Sequence, residues 1–205
     1  DSYVYAGDLW RSYGEENKSI ICRKALSYSS WRNIFFHSSS LKIEDMIFHT
    51  KPLFNNWKKR IVFLGYFFDP DGPMTNAAAT DQFFKYVVDV AERYPDCSIF
   101  LRMKMLEVSL YQVMLQRFAN TPNVHISTQY GIDGLSYILC RESDVVIAVQ
   151  TSLAEEALAY GKNVILIDNL YSINGMCSHI YPPCFDFLIA RSSKDMIDLV
   201  GKIFL

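Results

Sequence analysis

The sequence predicts an α/β fold built on a doubly wound parallel sheet. Two observations point to it. From residue 61 onward, short apolar runs rich in β-branched residues recur as Ile61–Tyr66, Ser98–Met103, Val124–Ser127, Val145–Val149, Val164–Asp168 and Phe187–Ala190. Between them lie segments of helical period at Thr80–Arg93, Val108–Ala119, Ile132–Cys140, Leu153–Tyr160 and Lys194–Phe204. Strands that read as unbroken apolar runs are covered on both faces, which is the property of parallel sheets with crossover helices. The predicted domain over 61–205 is therefore Rossmann-like.

Residues 1–60 read differently. They hold ten Lys/Arg against six Asp/Glu, whereas 61–205 hold ten against sixteen, so a net +4 gives way to −6 near Lys58-Lys59-Arg60. We read 1–60 as an irregular lead-in, either a linker or the remnant of an N-terminal domain. Its apolar residues, among them Trp31, Ile34, Phe35, Ile43, Met46 and Phe48, predict packing on the sheet. A second reading is a basic, aromatic surface in peripheral contact with anionic lipid. The opening at Asp1 and the close at Leu205, within a helix-like stretch, suggest an excised piece of a longer polypeptide.

Composition narrows the function classes. With 205 residues, 50% of them hydrophobic, the chain can bury a sizeable core, and a net charge of −2 without a long basic run argues against a nucleic-acid partner. No apolar run approaches the roughly 20 residues that span a bilayer. Five scattered cysteines without a CxxC pair fit a reducing cytoplasm and argue against a disulfide framework. Cys177, His179 and Cys184 match no common zinc spacing, so no metal site is expected.

In doubly wound sheets ligands sit beyond the carboxyl ends of the strands, which directs attention to the strand-to-helix turns. After Val145–Val149 the chain runs Gln150-Thr151-Ser152 into a short helix that Gly161 should end in a left-handed conformation. Free backbone N–H groups at the helix start, with the Thr151 and Ser152 hydroxyls, suit phosphate oxygens, and Glu156 one turn on suits ribose hydroxyls. At 100° per residue Leu153, Ala154, Ala157 and Leu158 share one side, and Ser152 and Glu156 the other. Ser152-Leu-Ala-Glu155 is also a capping box, which gives Glu155 a purely structural role. Lys162 follows Gly161, where it would favour the negative end of the helix dipole.

Residues 143–168, with Ser-Asp-Val-Val-Ile, then Thr-Ser, then Glu156-Ala-Leu-Ala-Tyr-Gly-Lys-Asn-Val-Ile, resemble the C-terminal donor-binding domain of GT-B glycosyltransferases, nearest to bacterial enzymes of capsule and lipopolysaccharide biosynthesis. The resemblance extends over 61–205. It implies one half of a GT-B fold and metal-independent transfer of a sugar from a nucleotide-sugar, which is a substrate rather than a cofactor, to a polysaccharide or lipid-linked glycan. It implies that Glu156 holds the ribose and that Thr151 and Ser152 hold phosphate. Arg102 and Lys104 resemble the basic segment after the second strand, although Met103 stands where the family has proline. An alternative to anion binding is a solvated strand end.

Asp69 and Asp71 lie in Asp-Pro-Asp-Gly, whose plain reading is a turn; the resemblance implies that this loop faces the interdomain cleft, which makes the two carboxylates the weak candidates for a general base. His179, in the long loop 169–186, is a candidate donor contact or a loop-packing residue. His125 is expected to be a partly buried strand residue. Sugar-nucleotide epimerases and glycerophosphate transferases share a similar turn, and a non-catalytic nucleotide- or partner-binding module would use the same crevice.

Overall fold

In a computed structural model of the chain, the residues described are 3–5, 25–27, 42, 43, 46, 48, 59–65, 77–103, 108–127, 134–149, 151–168 and 188–205. Two short strands, β1 (Tyr3–Tyr5) and β2 (Ala25–Ser27), pair in parallel within the lead-in. The sequence reading has no regular element there.

The main body runs β3 (Lys59–Gly65), α1 (Ala77–Arg93), β4 (Cys97–Met103), α2 (Val108–Arg117), β5 (Val124–Ile126), α3 (Leu135–Glu142), β6 (Val145–Ala148), α4 (Ser152–Ala159), β7 (Asn163–Ile167), β8 (Ile189–Ala190) and α5 (Ser193–Phe204). All six main-sheet strands are parallel, in the order β5-β4-β3-β6-β7-β8. The first three strands of the body build outward from β3 in one direction and the last three in the other. The order therefore reverses between β3 and β6, and it is beyond the carboxyl ends of strands at such a reversal that doubly wound sheets bind ligands.

Alternate strand residues serve opposite faces. Ile61, Phe63, Ile99, Leu101, Val145 and Ile147 pack under α1, α2 and α5 with Phe83, Phe84, Met114, Met196 and Val200. Val62, Leu64, Phe100, Val146 and Ala148 pack under α3 and α4 with Leu135, Ile138, Leu139, Ala154 and Ala157. This second face is completed by Ile43, Met46 and Phe48 of the lead-in, all buried. Phe48 lies 5.1 Å from the Phe100 ring and bridges to Ser127. These three side chains pack on the sheet, and so are not part of a lipid-facing surface. At the amino-terminal end of the sheet the Glu142 carboxylate accepts from Ile43 N at 3.0 Å and lies 3.7 Å from Arg60, tying the lead-in to α3 and β3.

Helix ends follow the residues that can form them. Gly134, at φ 89°, precedes α3 without a side-chain cap, so this helix starts at Leu135 rather than at Ile132, and it runs two residues past Cys140. Gly161 adopts φ 87°, with Lys162 N donating to Ala157 O at 3.0 Å and Gly161 N to Leu158 O at 2.9 Å, the paired bonds of a Schellman ending. No neighbouring atom approaches a Cβ built at Gly161. Gly161→Ala should therefore cost about 1–2 kcal/mol from backbone strain alone, read as a lower urea midpoint at unchanged m. Lys162 extends to the Ser143 carbonyl oxygen at 3.0 Å, and its partial burial lowers its pKa below the usual lysine value.

Burial pushes the Cys97 thiol up to about 11, and that of Cys140 further, so both behave as small core hydrophobes. No helix among the described residues is long and apolar enough to cross a membrane.

Candidate functional site

The crevice begins where β3 ends. Gly65 closes that strand so tightly that a Cβ there would run into Met103 Sδ and approach Phe83 Cε1 to 2.9 Å. A glycine lets the end of β3 lie against β4 and α1 at the lip of the crevice.

On the other side of the reversal, β6 leads into α4. Thr151 is its N-cap, with extended backbone (φ −155°, ψ 142°) and a hydroxyl that accepts from Leu153 N at 3.4 Å. The cap is thus one residue earlier than the capping box assumed. Ser152 is the first helical residue, and three residues beyond the true cap stands Ala154, so the Ser-x-x-Glu spacing is one residue out of register with the cap. The start of the helix, with the N–H groups that a first turn leaves without intrahelical acceptors, follows the carboxyl end of β6, beside the point where strand order reverses.

Glu156 is 6% exposed, and the Tyr137 hydroxyl donates to its Oε2 at 2.6 Å. Helical period correctly sets it apart from the sheet-facing Ala154 and Ala157, but that flank of α4 is covered by α3 rather than open to solvent. Arg102 is not a solvated strand end. It is 9% exposed within β4, where Nη1 donates to Ser127 Oγ at 3.1 Å and Nε to Ser136 Oγ at 3.3 Å. Its guanidinium is thereby carried from the end of β4 to the first turn of α3, on the sheet face that also bears α4.

Thr151, Arg102 and Glu156 thus belong to elements that converge on one edge and one face of the sheet. Ser127, Ser136 and Tyr137 join them, and sequence reasoning missed all three, because an isolated serine or tyrosine carries no spacing signal. Farther along the same edge Asp168, buried at the end of β7, lies 3.7 Å from Arg191 Nε after β8. Lys104, Asp69, Asp71 and His179 lie outside the described residues, as do Cys177 and Cys184, and the side chain of Ser152 is not described. Among the described residues no group of three or more His, Cys, Asp or Glu is placed to hold a metal ion. His125 is buried in β5, 5.6 Å from the Phe100 ring.

Solved structures with the same arrangement include the C-terminal domain of a glycosyl transferase group 1 family protein (LpcC) from Francisella tularensis. The TM-score is 0.52 at 14% identity over 72% of this chain and 76% of that one. The chain has the fold of a GT-B C-terminal domain. The same GT-B-like fold relates it to a UDP-N-acetylglucosamine 2-epimerase from Listeria monocytogenes (TM-score 0.51, 14% identity, 77% of this chain and 40% of that one). It also relates it to UDP-GlcNAc 2-epimerase from Neisseria meningitidis bound to UDP-GlcNAc (TM-score 0.50, 14% identity, 72% and 37%). The chain thus spans well under half the length of each epimerase. No family model and no curated protein sequence matches it.

Proposed function

We propose that this chain is the donor-binding half of a metal-independent glycosyltransferase that moves a sugar from a nucleotide-sugar to a polysaccharide or lipid-linked glycan of a bacterial surface. The observation that carries the reading is the strand order reversing beside the Thr151-capped start of α4, with the Glu156 carboxylate one turn inside. In this reading Thr151, Ser152 and the α4 N–H groups receive the donor phosphates, joined by Arg102 and Lys104. Glu156 accepts from ribose hydroxyls, and His179 lies by the donor sugar. Positive groups and a helix N-terminus stabilise negative charge as it develops on the departing nucleotide phosphate. The general base, with Asp69 and Asp71 its candidates in this chain, must lie within hydrogen-bond reach of the acceptor hydroxyl.

The test is calorimetric titration of the purified protein with CMP, UDP, GDP, CDP and ADP, repeated with Glu156→Ala. One nucleotide should bind selectively, and Glu156→Ala should weaken it about 10–100-fold, the effect of one or two lost hydrogen bonds to a carboxylate. Because Glu156 is buried against Tyr137, the substitution should also lower stability by about 1 kcal/mol, so Glu156→Gln, which retains an acceptor for Tyr137, is the folded control. Unchanged affinity sinks the assignment.

A second reading is favoured by the two epimerase structures: a sugar-nucleotide epimerase using the same donor site. Incubation with UDP-GlcNAc in the absence of acceptor separates them, since an epimerase converts it to an isomeric nucleotide-sugar and a transferase does not. A glycerophosphate transferase on this fold would instead be identified by its transfer product. A non-catalytic binding module would take up nucleotide without turnover.

A further inference from the structure

We infer that Tyr137 is a positioning residue of the donor site, holding the Glu156 carboxylate in the orientation that discriminates a ribonucleotide from a deoxyribonucleotide. The inference rests on the nucleotide-sugar reading and extends it to a residue outside the turn that suggested it.

Four observations converge. First, the 2.6 Å bond from the Tyr137 hydroxyl to Glu156 Oε2 joins two helices 19 positions apart in sequence, so it is not a local helix pair. It is short, as expected of a neutral donor facing an ionised acceptor. Second, Glu156 is 6% exposed, so the bond lies where water competes little and the carboxylate has few alternative rotamers. Third, Tyr137 is partly buried and packed against the apolar cluster under α3 and α4, which includes Ile138, Ala154 and Ala157, so its hydroxyl is not carried on a free side chain. Fourth, the preceding residue, Ser136, accepts from Arg102 Nε at 3.3 Å. Two consecutive residues in the first turn of α3 therefore hold the two side chains assigned to opposite ends of the nucleotide.

A carboxylate offers about four lone-pair sites on its two oxygens, of which the Tyr137 bond takes one. A glutamate ordered before the ligand arrives has little rotamer freedom left to lose on binding. Its benefit is confined to ligands that carry the hydroxyls it was ordered to meet.

The experiment compares the purified protein with Tyr137→Phe, which keeps the packed ring and removes the hydroxyl alone. Each is titrated with UDP, 2′-deoxy-UDP and 3′-deoxy-UDP, or with the matching forms of CMP, GDP, CDP or ADP if one of these binds more tightly. In the native protein, loss of the relevant hydroxyl should cost about tenfold in affinity. In Tyr137→Phe the ribonucleotide should weaken about fivefold while the deoxy form changes little, so that the ratio collapses towards about two. Equal weakening of both forms would mean that Tyr137 only fastens α3 to α4, and would overturn the inference. So would an unchanged ratio in Tyr137→Phe when Glu156→Gln has lost it, a result that leaves the role of Glu156 intact. If Glu156→Gln also binds all three forms like the native protein, the ribose role of Glu156 fails and takes this inference with it; if no nucleotide binds the folded protein, the nucleotide reading itself fails.

Discussion

Phe100→Ala is expected to lower stability by about 3–5 kcal/mol, the range for deleting a fully buried aromatic ring from a core that cannot collapse around the void. Phe100 is 0% exposed at the centre of the face under α3 and α4, with Phe48 at 5.1 Å and His125 at 5.6 Å. Part of that loss should belong to the docking of the lead-in. A cycle of Phe48→Ala, Phe100→Ala and the double variant, followed by urea unfolding, measures this part. A coupling of about 0.5–1.5 kcal/mol is expected for the ring pair, and additive losses would show that Phe48 contributes nothing through Phe100.

Asn123→Ala should cost about 2–4 kcal/mol, more than its size suggests, because one side-chain amide serves three backbone carbonyls at once. The Asn123 side-chain amide, 4% exposed in the turn before β5, donates to the carbonyls of Ala91 at 3.1 Å and of Tyr94 and Cys97 at 3.2 Å each. These carbonyls belong to the end of α1 and the start of β4, and the Asn123 carbonyl itself accepts from Ile99 N at 2.8 Å. Hydrogen exchange offers a second readout. Amides at the α1–β4 junction should lose protection in the variant more than those of β7, whereas a uniform loss would make Asn123 an ordinary contributor to global stability.

Such residues show where reading the sequence stops. β3, β4, β6 and β7 were legible because helices on both faces require unbroken apolar runs, and α1 and α5 because their amphipathic period survives in the primary structure. β1 and β2 lie outside the strand–helix alternation that sets off the equally short β5, and so carry too little pattern to register. Asn123, within Thr-Pro-Asn, reads as a turn former, and nothing local announces that its amide serves a segment some thirty residues earlier. In the candidate site, Thr151 and Ser152 both look like caps, and only backbone dihedrals choose between them. The burial of Glu156 follows from helix-to-helix packing, to which a period computed along one helix is blind. The Arg102 contacts likewise join three elements distant in sequence.

Placing β3 at the centre of the sheet has a kinetic consequence. One flank of β3 pairs with β4, the next strand along the chain, but the other pairs Ile61–Leu64 with Val145–Ala148. As the chain emerges from the ribosome, Ile-Val-Phe-Leu therefore presents an open, apolar edge until β6 has been made. Distant parallel pairing of this kind folds slowly and leaves such an edge able to recruit another chain. The lock that closes it is reciprocal: Asp144 N donates to Arg60 O, and Arg60 N donates to Asp144 Oδ2, each at 2.8 Å. Weakening that lock should lower the yield of refolding at high protein concentration before it lowers equilibrium stability, and it delays the step that brings α4 up to β3.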